Sequence, residues 1–131
     1  MRNRGRILVA HDLSCRGNAS LGIVIPVLTS AGYEVVALPT VLLSSTTDID
    51  SCPASLSTTN WMHQAIDKFK SQDVKFVAIY TGWLGDAEQV DILVDLCQWQ
   101  KKINPKVKIF VDPVMGDGGE LYPCQAEIAK H

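Results

Sequence analysis

The sequence predicts an α/β fold in which a mostly parallel sheet is flanked by helices. Short aliphatic runs alternate with longer stretches of helical spacing, and this order implies parallel strand pairing through right-handed crossovers. Hydrophobic residues make up 47% of the chain and charged residues 20%, which is ordinary for a globular α/β protein. A length of 131 residues is enough to bury a core. We therefore expect residues 1–131 to form a single α/β domain.

The chain begins with a predicted strand and a predicted helix. Residues 6–11 (RILVAH) have the β-branched and aliphatic composition of a fully buried strand. Asn18 or Ser20 is placed to cap the helix that follows, and Gly32 is placed to end it. Pro26 lies within this helix and is expected to kink it or to end its regular hydrogen bonding.

The second strand is predicted at residues 34–39 (EVVALP), and a long polar stretch separates it from the second helix. Residues 44–58 contain one proline and no periodicity, so they are expected to form a loop or a small flap. Thr59 or Asn60 is the expected cap of the second helix. The apolar residues of this helix recur at helical spacing and are Trp61, Met62, Ala65, Ile66 and Phe69.

Two more strands and a long helix complete the pattern. Residues 75–80 (KFVAIY) and 107–111 (VKIFV) are the third and fourth strands, and a further helix is expected to open at Pro123. Between the two strands, Ala87–Ile103 is predicted to be a helix with one apolar stripe. The stripe consists of Val90, Leu93, Val94 and Cys97.

Composition and cysteine usage exclude several function classes. A net charge of −2 without a basic patch argues against a nucleic-acid partner. The first apolar run, residues 7–10, is too short for a signal peptide core or a membrane span, so a cytoplasmic protein is expected. No CxxC motif occurs, which argues against a zinc site or a disulfide framework. The four cysteines are Cys15, Cys52, Cys97 and Cys124.

Polar or turn-forming residues follow all four predicted strands. In open α/β sheets, ligands bind outside the carboxyl ends of the strands, so this edge is the expected site. The four pairs of residues are His11–Asp12, Pro39–Thr40, Thr81–Gly82 and Asp112–Pro113.

The densest group of candidate residues is the segment DPVMGDGGE at 112–120. Asp112 and Asp117 lie in a glycine-rich loop directly after a buried strand. Glycines let backbone amides approach an anion, and one or two carboxylates with phosphate oxygens and water suit Mg²⁺. A nucleotide–metal site is one interpretation. A plain turn is the other, since Asp-Pro and Asp-Gly are turn formers.

Two further candidates have an ordinary structural alternative. Asp12 follows the first strand and is able to bind a substrate hydroxyl or ring nitrogen, but residue type alone favours an N-cap. An exposed Trp83 is able to stack on a flat ligand or simply to pack at a helix end, with Asp86 as the cap. The three histidines, His11, His63 and His131, lack metal-ligand spacing and are expected to be structural or solvated. No nucleophile elbow or Walker loop occurs.

Three segments resemble the N-terminal half of pyridoxal (pyridoxine, pyridoxamine) kinases of the ribokinase-like superfamily. They are ILVAHDLSCRGNASLGIVIPVLTSAGYEVVALPTVLLSS, VAIYTGWLGDAEQV and FVDPVMGDGGELY. The order and spacing of all three agree, and the last is the most specific. The resemblance implies a ribokinase-like fold, of which these residues are about half. It also implies ATP-dependent and metal-dependent phosphorylation of the 5′-hydroxymethyl group of vitamin B6.

The resemblance also assigns roles to residues of this chain. Asp112, Asp117 and Tyr122 would belong to the nucleotide side, with Asp117 nearest to Mg²⁺. Asp12, Thr47 and Trp83 would belong to the substrate side, Thr47 within a flap. The family flap is close to S-x-H-T-G, whereas residues 44–48 read SSTTD. This difference leaves a hydroxymethylpyrimidine substrate open as the alternative.

The family's G-x-G-D loop, which supplies the catalytic base and holds the transferring phosphate, does not occur in this sequence. The chain is therefore expected to be truncated, not to be a competent kinase alone, and to expose apolar surface beside its last strand. That surface predicts self-association, most simply as a homodimer. A non-catalytic α/β module that binds a ligand or a partner chain is the alternative. A phospho-acceptor domain is rejected because the third strand lacks an acceptor aspartate at its end.

Overall fold

A computed structural model describes residues 3–122, 128, 130 and 131. The helices are α1 (Leu21–Ser30), α2 (Thr59–Ser71) and α3 (Ala87–Ile103). The strands are β1 (Arg6–Ser14), β2 (Glu34–Leu43), β3 (Ser55–Ser57), β4 (Ala78–Thr81), β5 (Lys108–Val111), β6 (Gly116–Asp117) and β7 (Glu120–Leu121).

Five strands form one sheet in the order β3-β2-β1-β4-β5, and β6 pairs with β7 in a separate hairpin. The pairs β1–β2, β1–β4 and β4–β5 are parallel, whereas β3 is antiparallel to β2. The mostly parallel sheet flanked by helices is therefore confirmed. The antiparallel strand β3 lies within residues 44–58, which the sequence predicted to be a loop or flap.

The core has two layers because successive side chains of β1 point to opposite faces of the sheet. Ile7 and Val9 pack with Leu21 of α1 on one face. Leu8 and Ala10 belong to the larger cluster on the other face, to which α2 and α3 contribute. The helical residues of that cluster are Met62, Ile66, Ile92, Leu93 and Leu96. Both faces of the central strand are thus covered, which explains its continuous apolar run.

The strands β1 and β2 run farther than their apolar runs predicted, to Ser14 and Leu43. They continue to pair beyond an irregularity between His11 and Leu13, where the register shifts. Such a bulge re-aims side chains without ending the strand. As a consequence Asp12 lies within β1 and not after it. The strands β4 and β5 begin later than predicted, at Ala78 and Lys108.

The predicted cap residues of α1 and α2 differ from those in the structure, whereas the predicted bounds of α3 agree. Ser20 precedes α1 as its N-cap residue, but its side chain makes no capping hydrogen bond, and Asn18 is not the cap. Pro26 does not end α1, which continues to Ser30, although the proline removes one backbone hydrogen bond and its ring crowds the carbonyl of Gly22. Thr58, and not Thr59 or Asn60, occupies the N-cap position of α2. The helix predicted from Pro123 falls outside the described residues.

The strand β5 lies at one edge of the sheet, and all four of its residues are exposed. The exposed fractions of Phe110 and Val111 are 54% and 70%. Beside this strand, α3 and β5 enclose an open apolar groove of about 570 Å³, lined in part by Leu93, Val94 and Ile109. The predicted apolar surface next to the last strand is therefore present.

Candidate functional site

The carboxyl ends of the parallel strands meet at one edge of the sheet and bring several candidate residues together. His11 and Asp12 come from β1, Thr40 from β2, and Gly82 and Trp83 follow β4. Gly82 donates its backbone N–H to the Ala10 carbonyl oxygen at 2.8 Å, so the segment after β4 stays attached to β1. These residues therefore lie together at the edge of the sheet where the sequence predicts a ligand site.

Asp12 forms a buried pair with its neighbour His11. Its Oδ1 lies 2.7 Å from Nδ1 of His11, and the exposed fractions of the two residues are only 7% and 6%. Burial by itself raises the pKa of Asp12, but hydrogen bonds from His11 and Ser20 and the charge of His11 outweigh it. The pKa of this carboxyl is therefore lowered, and Asp12 is ionised at neutral pH.

Asp12 is not a helix cap, which corrects the interpretation that its residue type favoured. The residue before α1 is Ser20, and its backbone φ of 52° lies in the left-handed region that a non-glycine residue rarely adopts. The Ser20 hydroxyl does not bond to the helix but helps to lower the pKa of Asp12. Strained backbone of this kind is concentrated at functional sites.

Gly82 leaves the space that the His11 ring occupies. A Cβ atom at position 82 would collide with Cδ2 and Nε2 of that ring. On another side, the ring of Tyr80 meets the His11 ring edge-on, with the ring centroids 6.3 Å apart. The imidazole is thus held between a glycine and an aromatic ring, and its orientation is fixed by packing.

Trp83 is half-buried and not exposed as the sequence predicted. Its carbonyl oxygen accepts a 2.8 Å hydrogen bond from the Thr40 hydroxyl. Its ring lies edge-on to the ring of Tyr122, with centroids 6.5 Å apart, so residues assigned to the substrate side and the nucleotide side are in contact. The indole Nε1 is buried and has no hydrogen-bond partner among the described residues. A buried donor of this kind is costly unless a ligand or water satisfies it.

The loop after β5 forms the hairpin β6–β7, in which turn chemistry accounts for Gly118 and Gly119, whereas a Cβ atom at Gly116 would collide with the Glu120 carbonyl oxygen. Gly118 and Gly119 have φ values of 57° and 87°, as a two-residue hairpin turn requires. Asp117 is exposed, and its Oδ1 accepts the Gly118 N–H at 2.8 Å. Asp112 accepts a 3.2 Å hydrogen bond from the Tyr80 hydroxyl. Burial and the Asp112 charge together raise the pKa of Tyr80, which stays a proton donor.

Among the residues that the structure describes, no three metal-ligating side chains cluster together. An exposed carboxylate such as Asp117 nevertheless suits Mg²⁺, which takes one or two carboxylates and fills its other positions with phosphate oxygens and water. The donor chemistry at Asp117 therefore fits a metal that arrives with a nucleotide.

Thr47 lies in an exposed turn, and no hydrogen bond among the described residues joins it to Asp12 or Trp83. Its neighbours Ser45 and Thr46 are buried, and their hydroxyl oxygens have no hydrogen-bond partner in the described part of the chain. Sequence analysis singled out Thr47 and missed these two hydroxyls. The sequence places these two residues in a polar segment without periodicity, and such a pattern does not show which hydroxyl groups are buried.

Gln89, another residue that sequence analysis missed, connects the elements around the site. It is fully buried at the start of α3, and its Nε2 donates to the Thr40 carbonyl oxygen at 2.8 Å and to Thr59 at 3.1 Å. Its Oε1 accepts the Gly85 N–H at 2.9 Å. One side chain therefore joins the end of β2, the start of α2 and the segment after β4. Asp86 caps α3 as predicted, accepting the Gln89 N–H at 3.0 Å.

The lowered pKa of Asp12 makes stability depend on pH. Because the pKa is lower in the folded state, the added stability is present above the pKa of the unfolded state, about 4, and is lost as the pH falls through the folded value. We expect Asp12→Asn to be less stable than the wild type at neutral pH, with the difference shrinking in acid. Urea unfolding across this range measures it. Asp95→Asn on the exposed face of α3 is the control. If the free energy of unfolding of Asp12→Asn differed from that of the wild type by the same amount at every pH, the expectation would be contradicted.

In the described part of the chain, no helix has both the length and the apolar composition needed to cross a membrane. No protein-family model matches the chain. The chain is 29% identical over 103 residues to the pyridoxine/pyridoxal/pyridoxamine kinase of Bordetella avium, and the match covers 77% of this chain and 35% of that protein.

Two solved structures share the fold at higher identity. One is a protein of Bacteroides thetaiotaomicron, provisionally assigned as a phosphomethylpyrimidine kinase, whose orthorhombic crystal form contains pyridoxal. It is 41% identical, has a TM-score of 0.84, and is matched over 90% of this chain and 40% of its own length. The other is the pyridoxal kinase of Lactobacillus plantarum, which is 34% identical and has a TM-score of 0.71. The match covers 92% of this chain and 42% of that protein. The chain thus spans between a third and a half of the length of each.

Proposed function

Because this chain belongs to the pyridoxal kinase family and has its ribokinase-like fold, we propose that it carries the vitamin B6-binding part of an ATP-dependent kinase. The substrate class is pyridoxal, pyridoxine or pyridoxamine, and the group phosphorylated is the 5′-hydroxymethyl group. The proposal treats residues 1–131 as one α/β domain. It places the chain in the cytoplasm, where ATP is available and the free thiols of Cys15 and Cys52 stay reduced.

The observation that carries the proposal is the buried, ionised Asp12 at the ligand edge of the sheet. A buried carboxylate is costly unless hydrogen-bond donors satisfy its oxygens. His11 and Ser20 contribute two such interactions, and a carboxylate accepts more than two. A pyridine ring with a protonated nitrogen or a hydroxyl group supplies a further donor. Trp83 offers an aromatic surface and, within the part of the chain that the structure describes, an indole N–H without a hydrogen-bond partner; Thr47 belongs to the flap segment.

On the nucleotide side, we assign Asp112, Asp117 and Tyr122, with Asp117 holding Mg²⁺. Mg²⁺ would neutralise charge on the phosphates of ATP. Asp112 is oriented by the Tyr80 hydroxyl, and Asp117 is exposed at a hairpin turn. A pyridoxal kinase of Leishmania donovani with the same fold was crystallised with ADP. The residues that transfer the phosphoryl group in the family are not among these 131, so we expect binding without rapid turnover from this chain alone.

A hydroxymethylpyrimidine is the second candidate substrate. It is favoured by the provisional assignment of the Bacteroides thetaiotaomicron structure and by residues 44–48, which lack the histidine and glycine of the pyridoxal kinase flap. The pyridoxal found in that same crystal structure favours the first candidate.

Calorimetric titration of the chain with pyridoxal, pyridoxine and 4-amino-5-hydroxymethyl-2-methylpyrimidine separates the two candidates. The proposal expects the two pyridines to bind more tightly than the pyrimidine. Tighter binding of the pyrimidine would assign the chain to the second candidate, and no binding of any of the three would overturn both. ADP release in the presence of ATP and Mg²⁺ then measures residual turnover.

For the apolar groove between α3 and β5, we propose that a second copy of the chain covers it in solution. Unpaired edge strands with apolar side chains promote association. The double substitution of Phe110 by Glu and Val111 by Lys is expected to lower the apparent mass in analytical ultracentrifugation towards 14.3 kDa. Val27→Lys on the exposed face of α1 is the control. A wild-type chain that is monomeric at all concentrations would contradict the proposal.

A further inference from the structure

The outer edge of β5 carries backbone hydrogen-bonding groups that no strand of the described residues uses. This strand is the last in the order of the sheet. Asp112, directly after β5, donates its N–H to the carbonyl oxygen of Thr81 in β4 at 2.9 Å. Because the N–H and C=O groups of successive residues in a strand point to opposite sides, those of Ile109 and Val111 point away from β4. The free edge therefore offers two donors and two acceptors.

Both faces of β5 are apolar next to this edge. Ile109 and Val111 line the groove with α3, whereas Phe110 lies on the other face, in register with Tyr80. The exposed fractions of Ile109, Phe110 and Val111 are 37%, 54% and 70%. A partner that covers β5 must therefore supply a strand together with apolar side chains on both faces. A second β5 strand supplies both.

Two β5 strands related by a two-fold axis have one antiparallel register that satisfies the outward-pointing groups. With the axis at Phe110, Ile109 of each copy lies opposite Val111 of the other, and the two residues exchange N–H···O bonds. The two Phe110 residues then form a non-hydrogen-bonded pair, in which the Cα atoms approach to about 4.5 Å and the aromatic rings contact each other. All four outward-pointing N–H and C=O groups of each copy are paired in this register.

The neighbouring registers satisfy fewer of these groups. An axis at Val111 places Ile109 opposite Pro113, which has no N–H to donate. An axis at Ile109 places Val111 opposite Val107, whose N–H already donates to the Asn104 carbonyl oxygen at 3.0 Å. The axis at Phe110 is therefore the register that the backbone favours.

The same register pairs opposite charges. Lys108 of each copy lies opposite Asp112 of the other, so the pair occurs twice. Both side chains are exposed, and in the described ranges neither belongs to an ion pair. Asp112 accepts from the Tyr80 hydroxyl at 3.2 Å, and a carboxylate accepts further hydrogen bonds. Opposite charges placed directly across an antiparallel pair stabilise it, whereas like charges destabilise it.

We propose that two copies of the chain pair antiparallel through β5, with the two-fold axis at Phe110, so that their five-stranded sheets join into one. This inference rests on the self-association proposed above and adds its register and its recognition charges. The axis is perpendicular to the sheet, so α3 of both copies lies on the same face and the two apolar grooves are adjacent. Because the contact is isologous, it closes as a dimer.

The test uses the single variants Lys108→Asp and Asp112→Lys, each alone and the two mixed. Each variant alone places like charges opposite each other twice, and the Kd of dimerisation is expected to rise about tenfold. In the equimolar mixture, one chain is acidic at both positions and the other is basic at both, so every cross-strand pair is attractive. The mixed dimer is expected to recover most of the wild-type affinity. Analytical ultracentrifugation with one fluorescently labelled chain measures both, and Lys68→Asp on the exposed face of α2 is the control.

Hydrogen exchange of the wild type gives a second readout at the edge itself. The amides of Ile109 and Val111 are expected to be protected at high protein concentration and to lose protection on dilution. The amide of Phe110 is expected to be protected at both concentrations, because it points towards β4.

Three results would overturn the proposal. Weak dimerisation of both single variants without recovery in the mixture, or no effect of either variant on a dimeric wild type, would exclude the Lys108–Asp112 pairing. A monomeric wild type whose Ile109 and Val111 amides are protected at every concentration would mean that the chain covers its own edge. A monomeric wild type with unprotected amides would leave the edge free. None of these measurements needs a ligand, so they decide the interface whether or not vitamin B6 binds.

Discussion

Replacing Gly82 with alanine is expected to destabilise the chain by about 3 kcal/mol, the upper range for forcing an extra carbon into packed structure. The new Cβ would collide with the His11 ring, and the backbone is not free to retreat because Gly82 N–H donates to the Ala10 carbonyl at 2.8 Å. The ring must move instead, and its hydrogen bond to Asp12 is then lost. We therefore expect lower stability and weaker pyridoxal binding together.

Chemical denaturation and calorimetric binding measure the two effects of Gly82→Ala. The matched control is Gly22→Ala, since a Cβ at that helical position meets no atom within 4 Å. There the substitution is expected to stabilise α1 by about 0.5–1 kcal/mol, the usual gain from alanine over glycine in a helix. If Gly82→Ala were as stable as the control and bound pyridoxal normally, the close packing of His11 against the segment after β4 would not matter to the site.

Replacing Gln89 with leucine is expected to cost about 3 kcal/mol, because several buried polar groups lose their partners at once. The side chain accepts from Gly85 N–H and donates to the Thr40 carbonyl oxygen and to Thr59. Leucine is similar in volume and fills the space, but it satisfies none of these groups. The segment from Gly82 to Asp86 would keep only the bond from the Thr40 hydroxyl to the Trp83 carbonyl oxygen as its attachment to β2, and we expect Trp83 to become more mobile.

Thermal unfolding and the fluorescence anisotropy of the tryptophans report on Gln89→Leu. Gln98→Leu is the control, because Gln98 is exposed on the same helix and its replacement is expected to change stability by no more than about 0.5 kcal/mol. A loss of similar size in both variants would point to helix propensity instead of the buried hydrogen bonds.

Those elements whose residues repeat regularly were predictable from the sequence. The bounds of α3 follow from its helical spacing and from Asp86, a residue type suited to the N-cap. The predicted apolar stripe is wrong about the buried face, because Ile92, Leu93 and Leu96 enter the core whereas Val94 is 47% exposed. The four parallel strands follow from their aliphatic runs, which the sheet buries on both faces in the central strand β1, whereas β5 lies exposed at the edge. The shared edge of the candidate residues was predictable for the same reason, since parallel strands place their carboxyl ends together; that a ligand binds there stays a prediction.

What sequence analysis could not predict depends on contacts between distant residues. The bulge after His11 extends β1 past its apolar run because β2 keeps pairing with it as far as Leu43. That pairing places Asp12 inside a strand, where its side chain meets His11 and the Ser20 hydroxyl instead of capping the backbone N–H groups of a helix. The antiparallel strand β3 is short and exposed, so no alternation of apolar residues marks it. Gln89 is likewise invisible, because a buried glutamine has the same local pattern as an exposed one.

The central claim is that vitamin B6 binds at the carboxyl ends of β1, β2 and β4. The most direct measurement is an NMR titration of the isotopically labelled chain with pyridoxal. The account predicts that shifts concentrate at Asp12, in the flap around Thr47 and at the indole Nε1–H of Trp83, which is buried and has no hydrogen-bond partner among the described residues. Shifts confined to the groove between α3 and β5, or no shifts at saturating ligand, would contradict the account.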